Sequence, residues 1–235
     1  MNKAMIGSAP WYLTALLLIV VAGFWKSYFA IPPEDTLATL HAHAIPLLLW
    51  LGMLIVQPWL IHSGNRKWHR VIGKASFALF PIVAVTTTYI VFQDLGRNYD
   101  DPLGEIALAN FFSGFVHVAI LVAFYAMAIY HRRNLNLHAR YMLSTALPLV
   151  TPGIFRVIIF WLADFGFPVP SAFTMMTIVG IIPLALVAID KLNGRIFPPF
   201  VYLTVAWSIN LAGYKIVPFI DWWQDFASWS LRLIT

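Results

Sequence analysis

Residues 38–62 read ATLHAHAIPLLLWLGMLIVQPWLIH, with no lysine, arginine, aspartate or glutamate among them. Wound as an α-helix at about 1.5 Å per residue, a run of this length outspans a hydrocarbon core about 30 Å thick. Backbone amides in hydrocarbon find no water, so the run must satisfy them within its own helix. Outward from it, comparable apolar runs occupy about 11–30, 71–93, 107–131, 140–163, 171–189 and 197–219. About seven such runs predict an all-α, polytopic membrane bundle in a single membrane domain, 1–235, with little chain left over for a separate extramembrane domain.

Composition points the same way. The 235 residues are 60% hydrophobic and only 11% charged, where a soluble domain carries about a quarter. The net charge of +5 is spread through loops rather than gathered into a patch, so the expected partner is the lipid bilayer and not nucleic acid. Cysteine is absent, which excludes disulfides, iron–sulfur clusters and thiolate metal sites. The first run is followed by Ser27-Tyr28-Phe29-Ala30. Tyr28 fits poorly at the small-residue position of a signal-peptidase site, so the run is read as an uncleaved first span.

The basic residues set an orientation. If spans alternate, one side holds Lys3, Arg66, Lys67, Arg70, Lys74, Arg132, Arg133, Arg140, Lys191 and Arg195, against Lys26, Arg97, Lys215 and Arg232 on the other. Lysine and arginine mark the inner side, which predicts the N-terminus inside and the C-terminus outside in a cytoplasmic (inner) membrane. The tail 221–235, DWWQDFASWSLRLIT, is amphipathic and tryptophan-rich, and is expected along the outer interface.

All seven histidines lie in or beside spans two to five. A short repeat organises four of them. His62 and His69 flank Ser-Gly-Asn-Arg-Lys-Trp, and His131 and His138 flank Arg-Arg-Asn-Leu-Asn-Leu, a loop of equal length. Arg70 follows the first pair and Arg140 the second, one residue later. Ionisable groups inside a membrane are costly and mark functional sites. Counting from the outer ends at about 1.5 Å per residue, His43 lies ~8 Å deep, Arg156 ~10 Å and His117 ~15 Å. His117 and His131 share a helix face but stand ~21 Å apart along the axis, a spacing for two stacked centres.

The reading this invites is a redox protein carrying haem b, which takes one or two axial imidazoles and cations for its propionates. An outer haem would use His43 (or His41) and His117, with Arg156 near a propionate. An inner haem would use His69–His138 or His62–His131, with Arg70 and Arg140 as propionate partners. Electrons would then cross the membrane to redox partners. Two other readings stand beside it. His41, His43 and His117, with Glu34, Asp35 or Glu105, form a candidate outward-facing zinc or copper site able to activate water. The chain also reads as a structural or assembly subunit of a larger membrane complex, its Trp and Phe residues packing on partner subunits and lipid.

Three segments carry a resemblance. His41-Ala-His43, His69-Arg70-Val-Ile-Gly73-Lys and His138-Ala-Arg140-Tyr-Met142-Leu, with Pro152 and Arg156, resemble a bacterial family of predicted multi-span membrane proteins of unknown function with HxH and HRxxG motifs. The likeness spans roughly 38–160 and implies a coherent histidine-bearing core without naming a reaction. The fourteen-residue histidine spacing also resembles that of two-haem membrane cytochromes of the b type. Seven-span hydrolases of the adiponectin-receptor and ceramidase superfamily require a histidine pair in the last span, which this sequence lacks.

Overall fold

Proline and hydropathy together explain how the chain is cut into helices. The computed structural model describes residues 3–97 and 100–234, without the side chains of residues 3–8, Arg97 and Ile234. The side chains of Lys3 and Arg97, counted above for orientation, and Thr235 of the tail therefore lie outside the described residues. The elements are α1 (Lys3–Phe24, continued by a π-turn to Phe29), α2 (Ala38–His62), α3 (Arg66–Arg97), α4 (Glu105–Tyr130), α5 (Leu135–Ser144), α6 (Ala146–Val157, continued by a π-turn to Leu162), α7 (Ala172–Val179), α8 (Ile181–Leu192), α9 (Pro198–Ile216) and α10 (Asp221–Ile234). The fold is all-α.

Seven segments are long and apolar enough to cross a membrane: Ala9–Phe29, Ala38–His62, Arg66–Gly96, Glu105–Tyr130, Leu135–Leu162, Ala172–Leu192 and Pro198–Phe219. Two of them are broken helices. Pro148 has no N–H to give the carbonyl of Ser144, and the fifth segment breaks beside it at Thr145, whose N–H turns to Met142 O at 3.1 Å. Pro183 leaves Val179 O in the same position, and the sixth segment breaks at Gly180. Gly180 serves a second purpose there. A Cβ on it would stand 2.9 Å from the Trp207 ring, so glycine lets α9 approach. Pro46, Pro58 and Pro81 sit inside α2 and α3 without ending them, as membrane helices tolerate.

The helices pack around α4, which meets α3, α5, α6 and α9, while α1 lies against α2 and α6. The α1–α6 crossing is close. A Cβ on Gly23 would fall 2.1 Å from the carbonyl oxygen of Gly153, and one on Gly153 would fall 2.9 Å from the Val20 Cα. Small residues allow this approach between membrane helices. The centre is aromatic: Phe80 and Tyr125 stack at 3.8 Å, and Trp50 meets them at 5.1 and 5.4 Å. The tail helix α10 buries Trp223 and Ala227 on Leu95, Leu108 and Phe111, and leaves Trp222, Trp229 and Leu233 exposed.

Candidate functional site

A cavity of about 910 Å³ opens at the end of the bundle where the two basic loops lie. Its walls come from α2 (Met53, Leu54, Gln57), α3 (His69, Gly73, Ser76) and α5 (His138, Met142, Leu143), with Ile129 of α4 and Ala9 of α1. The exposed cations Arg66, Arg70, Lys74, Arg132 and Arg133 also line it, and no lining residue is an aspartate or glutamate.

Local capping places both histidines. Asn134 precedes α5, and its side-chain oxygen accepts from the N–H groups of Asn136 and Leu137 at 3.1 and 3.3 Å. Asn65 precedes α3 and accepts from Trp68 N–H at 3.4 Å. An asparagine in this position satisfies amides that the first helical turn leaves free. Four residues on from each comes a histidine, His138 and His69, one full turn into its helix and on the cavity wall.

The two rings are in different bonding states. His138 Nδ1 donates to the Ala128 carbonyl at 2.9 Å. A carbonyl only accepts, so Nδ1 carries the proton and Nε2 of the neutral ring is left with a lone pair. His69 Nδ1 is buried with no partner, as is Gln57 Oε1. The two imidazoles are electrostatic neighbours, and the Gln57 backbone lies beside the His69 ring. Ser76, on the cavity wall, pairs its Oγ with the buried Tyr125 Oη at 2.9 Å. A cavity of this size falls within the range of small-molecule and cofactor sites, which combine mostly apolar walls with a few polar groups.

The other expected residues are placed elsewhere. His62 is exposed at the end of α2, and His131 stacks on Tyr141 at 5.7 Å and 8°. Neither lines the cavity. Arg70 does line it, but Arg140, expected beside a cofactor carboxylate, does not. Its Nε donates to both carboxylate oxygens of Asp190 at 3.0 and 2.9 Å, and its Nη1 donates to Asn136 O at 3.0 Å. The pair is almost fully buried, at 2% and 0% exposure. Phe197 lies against the guanidinium at 3.9 Å and gives its own N–H to Asp190. Arg140 is a clamp between the fifth and sixth segments and the start of α9.

Each of the outer residues has surroundings of its own. His117 faces α9, stacked on Trp207 at 5.3 Å, with Nε2 accepting from Asn210 Nδ2 at 3.4 Å. His41 uses both nitrogens, donating from Nε2 to Pro33 O at 3.1 Å and accepting from Tyr28 Oη at 2.8 Å. His43 Nδ1 is buried without a partner. Arg156 lies over the Phe24 ring at 4.3 Å, within electrostatic reach of Asp94, while Asp164 pairs with Lys26. Among the described residues, no three of histidine, cysteine, aspartate or glutamate are gathered as a metal site.

Sequence reasoning missed Gln57, Asp190 and the two capping asparagines. Asp190 had a signal: it is the lone acid at the end of a span on the side otherwise carrying cations. Comparison with protein-family models, curated proteins and solved structures finds no match.

Proposed function

We propose that this multi-pass membrane protein is a redox carrier whose cavity between α3 and α5 would take one haem b, with His69 and His138 as the residues that would hold its iron. The observation that carries the reading is that two neutral-capable imidazoles from different helices line one cavity, one with its tautomer set by a carbonyl and the other with an orphaned buried nitrogen. A hydrogen bond from Nδ1 to a carbonyl is the arrangement that orients an imidazole for ligation through Nε2. Arg132 and Arg133 would supply cations for the carboxylates of the group, and Met53, Leu54, Met142 and Leu143 would exclude water from it. When bound, haem supplies one-electron transfer, with a potential tuned by its ligands and burial.

In the orientation proposed from the lysine and arginine distribution, this cavity would open to the cytoplasmic side of the inner membrane. A redox partner would then reach it from that side, across a basic surface. The expectation of a second, outer haem rests on His43 and His117 and receives less support, because His117 is engaged by Asn210 and Trp207.

The test is a reduced-minus-oxidised visible spectrum of protein purified in detergent from haem-replete cells. The expected result is a Soret shift with sharp α and β bands, lost in both His69→Ala and His138→Ala and kept in His62→Ala and His131→Ala. A folded, colourless wild-type protein, or a spectrum that survives both cavity variants, would overturn the proposal.

A further inference from the structure

A ladder of cations climbs one face of α3. Arg66, Arg70 and Lys74 follow one another at four-residue intervals, and Phe77 comes three residues later. All four are exposed and all four line the cavity. At about 1.5 Å per residue, Lys74 stands ~12 Å along the axis from Arg66, inside the segment Arg66–Gly96 that is apolar enough to cross a bilayer. A lysine exposed at that depth is costly unless its amine reaches the interface or meets an anion. No aspartate or glutamate stands with the ladder among the residues that line the cavity. Beyond Lys74 the same helix turns apolar outward, with Phe77 at 55% and Val85 at 68% exposure.

We propose that the ladder binds the phosphate of an anionic phospholipid, with an acyl chain running past Phe77. Each element of the arrangement matches one part of that ligand. Arg70 forms a two-pronged phosphate donor, Lys74 a point charge, and the apolar continuation of α3 a track for the chain. Basic pockets between membrane helices take such headgroups, and each lysine or arginine near the surface strengthens the attraction. The haem proposed above would take its carboxylate partners from the α4–α5 loop, Arg132 and Arg133, which leaves Arg70 and Lys74 to the lipid. The lipid site stands on the ladder alone and is independent of whether haem is held.

The experiment is native mass spectrometry of the purified full-length chain in neutral detergent, titrated with short-chain phosphatidylglycerol, phosphatidylcholine of the same chain length, or inorganic phosphate. Phosphatidylglycerol is expected to bind at least roughly tenfold more tightly than phosphatidylcholine. Arg70→Gln with Lys74→Gln should weaken it roughly thirtyfold, from about fivefold per charge. Lys67→Gln with Lys191→Gln, the same charge change on exposed cations outside the cavity, should leave it unchanged. Equal binding of the two lipids by the wild-type protein overturns the proposal whatever the variants do. Equal loss in the control pair, or inorganic phosphate competing as well as the lipid, overturns it too.

Discussion

The backbone N–H of His138 donates to the carbonyl of Asn134 at 2.9 Å, closing the first turn of the helix that the Asn134 side chain caps. His69 and Asn65 stand in the same relationship, at 3.2 Å. The cap therefore sets the rotational start of each helix, and through it the direction in which each imidazole leaves the backbone.

Asn134→Ala removes the cap. The expected cost is about 1 kcal/mol of stability, with a fraction of the haem lost on purification. Asn134→Asp retains a capping oxygen and should retain both. Thermal unfolding in detergent and the ratio of Soret to protein absorbance measure the two effects. Full haem retention in the alanine variant would show that the cap does not control the ligand.

Asp190→Ala strands the Arg140 guanidinium in a buried site. Breaking a buried pair in this way costs about 3–5 kcal/mol. Replacing both partners, Arg140→Met with Asp190→Leu, removes the stranded charge and should recover most of that loss. Denaturant unfolding of the single and double variants gives the coupling directly. Equal destabilisation in the single and double variants would mean that packing around Phe197, rather than the ion pair, holds these elements.

Two glycines should respond in opposite ways. A Cβ on Gly73 meets nothing nearer than Gln57 Nε2 at 3.6 Å, so Gly73→Phe should fold and fill the cavity. The haem spectrum is then expected to disappear from a stable protein. Gly23→Ala meets the Gly153 backbone instead, and overpacking of this kind costs about 1–3 kcal/mol. Its spectrum, in whatever fraction folds, should be normal.

His117→Phe keeps the ring stacked on Trp207 and removes the contact to Asn210. Interhelical hydrogen bonds in membranes contribute about 0.6 kcal/mol on average, so the stability change should be small and the spectrum unaltered. Loss of the haem signal in this variant would restore the outer histidines as ligands.

How much of this was legible from residues alone depends on the physical scale of each signal. The seven apolar helices were legible, because a span needs only length and missing charge. The loop repeat was legible as a spacing, but its cause was not. The shared asparagine at its third position, Asn65 and Asn134, is the capping residue that makes the two loops equivalent. The pairing of His117 with Asn210, and of Arg140 with Asp190, was illegible because each depends on which face of one helix meets another. Helical periodicity places residues on a common face, but that face has no direction until a neighbour is known. Arg140 and His138 lie two residues apart and were read together as one site. On a helix that separation is about 200°, and the two side chains serve opposite sides of α5.

The Arg140–Asp190 clamp joins residues fifty positions apart, and this has a consequence for how the chain is made. Synthesis delivers the arginine several seconds before its partner at roughly 5–20 residues per second. Until the sixth segment arrives, that charge is uncompensated in the nascent bundle. The early segments thus supply every wall of the cavity, from Ala9 to Leu143, yet the buried charge of the fifth is paired only by a later one. A ribosome stalled before Asp190 would leave a protein with its pocket walls in place and the Arg140 charge unpaired, a species for quality-control proteases to recognise.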